Sequence, residues 1–140
     1  MKKTVFLKLI VAATALSLCL TALLFTACGS NVLQPDENTV VIEVPEDYDA
    51  EGKTLYDYMT ELAGSGVLTF TIEDGMVTEI NGRANTTNSY WMVYTSDEAH
   101  ANAEWGVMEY EGKEYGSATL GAESLPLAAG GTYIWAYQTF

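Results

Sequence analysis

Cationic side chains are scarce in this sequence. Of 140 residues only six are Lys or Arg, against nineteen Asp and Glu. Lys2, Lys3 and Lys8 sit at the very start, while every acid lies at or beyond Asp36. From Cys28 onward the chain has three bases (Lys53, Arg83, Lys113) and nineteen acids, a formal charge of −16. Such a surface has no footprint for a phosphate backbone, which excludes nucleic acid as a partner. Anionic head groups would repel it as well. Cysteine is nearly absent: Cys19 and Cys28 both fall in or beside the N-terminal apolar run, so no disulfide framework is available. The length suits one domain with its own core. Histidine is limited to His100, in a polar stretch, and no nucleophile-elbow motif accompanies it. No His/Cys cluster has metal-ligand spacing, and no Gly-rich loop precedes a helix as a phosphate cradle would. The expectation is a protein that is not an enzyme and needs no cofactor. The plentiful carboxylates leave a glycosidase-like acid/base pair as the weakest of three options.

What is present begins with a leader. Met1-Lys2-Lys3 is positive, and Leu9 to Ala27 is uncharged and mostly apolar. The run is long enough to span a bilayer, but its flanks are those of a secretory signal peptide, with an uncleaved anchor as the alternative. Leu24-Phe25-Thr26-Ala27-Cys28-Gly29-Ser30 resembles a bacterial lipobox, with small residues ahead of an obligatory Cys. In that reading the Cys28 thiol takes a diacylglyceryl group as a thioether before cleavage on its N-terminal side. Acyl chains contribute ~0.8 kcal/mol per buried CH₂, so two or three hold a small domain at the bilayer. The expected organisation is a signal peptide over 1–27, a lipidated Cys28 and flexible tether over 28–38, and one domain over 39–140. The expected location is the extracytoplasmic face of a bacterial membrane.

Thr39 to Val44 is β-branched and predicts a strand. Asp47, Asp49, Glu51 and Gly52 open like a calcium loop, but Tyr58 stands where the closing Glu belongs, so a solvated loop is expected. Thr54 is a helix cap, and Leu55, Tyr58, Met59 and Leu62 make one apolar stripe, ended by Gly64 and Gly66. The remainder reads as strand and turn. Leu68 to Ile72 alternates, Asp74-Gly75 and Asn81-Gly82 are tight turns, and Glu111-Gly112-Lys113 joins a hairpin. Tyr90–Tyr94 and Tyr133–Tyr137 are apolar on both faces, as central strands would be. One helix and about six strands predict an α+β fold.

The order of these pieces carries a resemblance. VVIEV, TLYDYMTEL, LTFTIEDGMVTEINGRAN, YWMVY and GGTYIWAY follow one another from residue 40 to residue 137. Gly75 to Gly82 followed by Tyr90-Trp91 is the most specific part. The chain from about 39 to 140 thereby resembles the transcobalamin C-terminal-like domain, found in many bacterial surface lipoproteins. The resemblance implies a β-grasp-like fold, a mixed sheet packed on one short helix. It also implies a corrinoid, such as cobalamin, as a ligand closed over on one face, with a second polypeptide supplying the other. The chain departs from the family at Thr95–Glu98, where an Asn-Gly turn is usual, and at Gly130-Gly131, where Gly-Asp is usual.

Aromatic residues then suggest where a ligand would sit. All three Trp, all nine Tyr and two Phe lie beyond the leader. Trp91 and Trp135 fall in two-sided strands and fit a core, whereas Trp105 lies in a polar, irregular stretch and fits a binding rim. Arg83, Asn85, Asn88 and Tyr90 form a polar-aromatic loop beside the same strand as Trp91. Trp105, Tyr90, Trp91, Asn88, Asn85 and Arg83 are accordingly the candidate ligand-binding residues, and Cys28 the lipid attachment. The leading expectation is a non-enzymatic module that captures a small soluble ligand. The alternative is a protein-interaction or adhesion module of the cell envelope, docking through a sheet edge or aromatic rim.

Overall fold

Three X-Gly dipeptides set the hairpins. In the computed structural model, which describes residues 31–140, Asp74-Gly75, Asn81-Gly82 and Glu111-Gly112 all have positive φ at both positions. That is the type I′ geometry, whose twist matches the flanking strands. The strands are β1 (Val32–Asp36), β2 (Thr39–Glu43), β3 (Phe70–Glu73), β4 (Met76–Ile80), β5 (Arg83–Ala84), β6 (Ser89–Thr95), β7 (Ala101–Tyr110), β8 (Lys113–Ala118) and β9 (Thr132–Thr139). One helix, α1 (Leu55–Gly64), lies between β2 and β3. The fold is α+β, with a six-stranded sheet in the order β1-β2-β9-β6-β8-β7 and a three-stranded sheet β3-β4-β5.

Three expectations need correction. Every pairing is antiparallel, so the larger sheet is not mixed. The strands number nine among the described residues and fall into two sheets. The flexible tether expected over 28–38 is not a tether where it is described, because Val32–Asp36 pairs with β2 as an edge strand. Its sequence VLQPD hides this. Pro35 and an almost fully exposed side-chain row are tolerated at an edge, where one set of backbone groups faces water anyway. The described fold therefore includes residues 31–38, ahead of Thr39. The expected signal peptide, its cleavage and the expected lipid attachment at Cys28 lie outside the described residues.

The helix forms where its stripe and cap place it. Thr54 Oγ1 accepts from the Asp57 amide at 3.3 Å while Asp57 Oδ2 accepts from the Thr54 amide at 2.8 Å, a capping box. Two further amides of the first turn, Leu55 and Tyr56, donate to the carbonyls of Leu125 and Ala122. This ties the helix start to the segment between β8 and β9 and uses donors that a helix leaves unpaired. At the other end Val67 N–H reaches Leu62 O and Gly66 N–H reaches Ala63 O, with Gly66 left-handed, the double closure of a Schellman motif.

Strand alternation gives the six-stranded sheet two faces. Val40, Ile42, Trp91, Val93, Tyr133 and Trp135 point to the helix side and pack with Leu55, Tyr58, Met59, Leu62, Leu68, Val77 and Ile80. Val41, Tyr94, Tyr115, Ile134 and Ala136 point to the opposite side and form a smaller cluster of their own. Met108 and Tyr110 of β7 pack on that second cluster, so the β7–β8 hairpin folds back over the outer face. The hairpin can do so because β8 pairs with β6 only at Tyr94–Ser117 and Thr95–Gly116.

Candidate functional site

The short β6–β8 ladder also leaves a gap on the helix side. Beyond Ser117 the chain parts from β6, and the β3–β4 turn fills only part of the space. What remains is a cleft of about 230 Å³. Trp91, Val93 and Trp135 line it together with Met76 and Val77 from β4, and Ser117 to Ala122 complete the wall. No charged side chain lines it. Met76, 59% exposed, and Leu120, 36% exposed, belong to this lining and are among the most exposed large apolar residues of the domain. Glycine lets the two walls approach: a Cβ on Gly121 would lie 3.2 Å from the Gly75 carbonyl oxygen.

Two indoles in this lining differ in one respect. Trp91 donates through Nε1 to the Arg83 carbonyl at 2.8 Å and stacks edge-on against Tyr137 at 5.2 Å. Trp135 is only 3% exposed, yet its Nε1–H has no hydrogen-bond partner among the described residues. A buried donor left unpaired costs about 1–3 kcal/mol, so such a group is uncommon in a folded interior. An apolar cleft walled in part by that indole suits a small amphipathic group.

The polar-aromatic loop has other work. Asn85 Oδ1 accepts from the Trp91 amide at 3.0 Å, and Asn85 Nδ2 donates to the Val77 carbonyl at 3.1 Å. Asn85 thus stands in for a strand neighbour and joins the two sheets. The Arg83 guanidinium lies 4.1 Å from the Tyr137 ring centroid and 3.7 Å from the Glu37 carboxylate. The Tyr90 hydroxyl donates to the Thr87 carbonyl, and Asn88 accepts from the Thr86 hydroxyl and, through its carbonyl, from the Phe140 amide. These residues gather at the start of β6. Trp91 alone among the six candidates lines the cleft, from a buried position.

Trp105 is placed elsewhere. Four residues of β7, Ala103 to Gly106, bulge out between the pairs Asn102–Ser117 and Val107–Gly116, and Trp105 in that bulge is 65% exposed. The bulge packs near Tyr94, which lies four residues beyond Tyr90, about 13 Å at the rise of a strand. The rim and the loop are therefore two separate regions. Trp135 is a core residue, as its two-sided strand predicts, and lines the cleft as well, whereas Met76 and Leu120 carried no expectation of a site from the sequence. The available signal was a large apolar residue directly after the Asp74-Gly75 turn, where a polar one is usual.

The other reactive-looking groups are engaged with each other. The Tyr48 hydroxyl donates to Glu61 and accepts from Lys53 Nζ at 2.7 Å, while Lys53 and Glu61 lie 3.0 Å apart. The Tyr48 hydroxyl, then Lys53, hold the Glu61 carboxyl below the ordinary range. The hydroxyl of Tyr48, then Glu61, raise the Lys53 pKa, and burial raises that of Tyr48. His100 Nδ1 meets Asp97 Oδ2 at 2.7 Å within the β6–β7 connection, where Asp97 also accepts from the Ala99 amide. No Asp or Glu among the described residues is buried, and none of their clusters could hold a metal ion. No described helix is long and apolar enough to cross a membrane.

Comparison with protein-family models, with curated proteins and with solved structures yields no match. The cleft, the bulge and their chemistry are thus what bears on function.

Proposed function

We propose that this chain is an extracytoplasmic lipoprotein, held at the bilayer through acylated Cys28, whose domain is a non-enzymatic binding module for a small ligand. The cleft over Trp91 and Trp135 receives an apolar group with one hydrogen-bond acceptor, directed at Trp135 Nε1. The observation that carries this reading is an uncharged cleft whose wall includes Trp135, an indole whose covered N–H has no partner among the described residues. No carboxylate among the described residues is buried, with Glu43, Glu79 and Asp97 partly covered and the rest exposed; this supports a module without acid/base chemistry, since a catalytic acid is raised into the working range by burial or a like charge.

A corrinoid remains the specific ligand suggested by the resemblance to the transcobalamin C-terminal-like domain, and a grasp-like layout belongs to the same proposal. One helix laid on one face of a sheet supports that layout. A corrin ring with its amide side chains is far larger than 230 Å³. In this reading only one amide arm enters, its carbonyl meeting Trp135, and a second envelope polypeptide covers the rest.

Calorimetric titration tests this. Cobinamide, cobalamin and a set of small amides and ketones are titrated into the chain purified in neutral detergent. Saturable binding that weakens about tenfold in Trp135→Phe, the loss of one good hydrogen bond, supports the proposal. Leu120→Trp, which plugs the cleft from its wall without touching the core, should abolish it. Binding unaffected by both variants, or silence across the set, overturns it.

A further inference from the structure

We infer that the outer edge of β7 is a docking site for an extended, basic polypeptide segment, which adds to the sheet as a further strand. This does not depend on the cleft binding anything.

β7 ends the order of the six-stranded sheet, with β8 as its one partner. A terminal strand presents a row of backbone donors and acceptors that a further strand can take up. The opposite edge is unsuitable, because β1 has five residues, contains Pro35 and loses register between Leu33 and Asp36. β7 has ten residues and contains no proline; its register with β8 breaks at the Ala103–Gly106 bulge, and beyond it the strand pairs regularly from Val107 to Tyr110.

Its side chains give the partner's chemistry. Met108 and Tyr110 face the outer cluster, so alternation turns Val107 and Glu109 to solvent. Trp105 is 65% and Val107 43% exposed, two large apolar residues two places apart. On the same hairpin Glu104, Glu109, Glu111 and Glu114 are all exposed, Glu114 directly opposite Glu109, and Lys113 is the hairpin's sole base. The backbone on either side of Trp105 is anchored: the Glu104 amide donates to Asn102 Oδ1 at 2.9 Å, and Gly106, at φ 147°, brings its backbone against Tyr94. A Cβ there would stand 3.3 Å from the Tyr94 hydroxyl, so only glycine lets the bulge seat so closely. A solvated Trp on an anchored backbone has only two side-chain torsions to lose on being covered, and Trp is prominent among residues that dominate interfaces.

Charge selects the occupant. A second copy of this chain would set acidic rows against each other on a body of net charge −16, which disfavours self-pairing. A strand with Lys or Arg at alternate positions meets those carboxylates and leaves its intervening apolar side chains for Trp105 and Val107. The same acids that guard the edge against its own kind thus admit a cationic partner.

The test uses the full chain in neutral detergent and a blocked peptide of about ten alternating Lys and Val residues, the length of β7. The expected result is one-to-one binding that weakens with salt and falls about tenfold in Trp105→Ala and in the double variant E104K/E109K. A peptide of alternating Glu and Val should not bind, and methylation of alternate backbone nitrogens in the Lys peptide should abolish binding by removing its strand donors. The inference is overturned if the Lys peptide does not bind, or if the methylated peptide and Trp105→Ala behave as their parents do, which would mean diffuse charge attraction. Loss of peptide binding in Leu120→Trp would also overturn it, by assigning the peptide to the cleft.

Discussion

On one side of the six-stranded sheet a capped helix, a second sheet and the Gly121–Leu127 segment enclose a broad layer of apolar side chains. On the other side Val41, Ile134 and Ala136 are just as inaccessible, but a single folded-back hairpin is what covers them. The two layers share their strands and differ in how many independent elements hold the lid down. Complete burial of a residue therefore says little about how firmly it is buried.

The contrast can be broken by truncation. Met59→Ala, inside the helix-side layer, should cost about 2–5 kcal/mol in denaturant unfolding, whereas Met108→Ala, half-buried under the hairpin, should cost about 1 kcal/mol or less. Equal costs would show the outer layer to be as well braced as the inner one. Tyr133→Phe probes a polar tie of the helix side. The Tyr133 hydroxyl donates to the Pro126 carbonyl and accepts from the Ala128 amide, both at 2.9 Å. Removing it should cost about 1–3 kcal/mol, because two partly buried groups lose their partner. Asn85→Ala should cost about 1–2 kcal/mol for the same reason, by unpairing the Trp91 amide and the Val77 carbonyl.

Two smaller effects sharpen the comparison. Glu111 sits at φ 49° in the hairpin turn, a conformation that Asn tolerates better than Glu. Glu111→Asn should stabilise the hairpin by about 0.5–1 kcal/mol, read as slower hydrogen exchange of β7 and β8 amides with helix-side amides unchanged. Glu61 provides the pH dependence. Its folded pKa lies below the ordinary value, so its contribution is complete above that value and is lost as pH falls through the lowered one. The denaturation midpoints of the wild type and Glu61→Gln should differ near neutrality and converge in acid. A gap that widens in acid would contradict the assigned cause.

Much of this was legible in the sequence because it was local. Thr54 with Asp57, the stripe from Leu55 to Leu62 and the X-Gly turns each specify their geometry within a few residues. The two-sided apolar runs likewise announced β6 and β9 as central strands. What stayed hidden depends on partners distant in the chain. β1 carries no strand pattern of its own and exists because β2 offers an edge, and β5 is two residues long. The polar loop from Arg83 to Asn88 looked available for recognition, yet Asn85 is committed to strands on either side of it. The cleft was invisible because it arises from where a ladder stops, not from any residue type. Trp105 was recognised as exposed because its neighbours are polar, and that inference needed no tertiary information.

The early start of β1 has a mechanical consequence. β1 is one end strand of the six-stranded sheet and β7 is the other. If the chain is held at a bilayer through Cys28, as proposed, the tie enters the domain beside β1. The strand that carries Trp105 and its carboxylates then lies across the whole width of the sheet from that foothold.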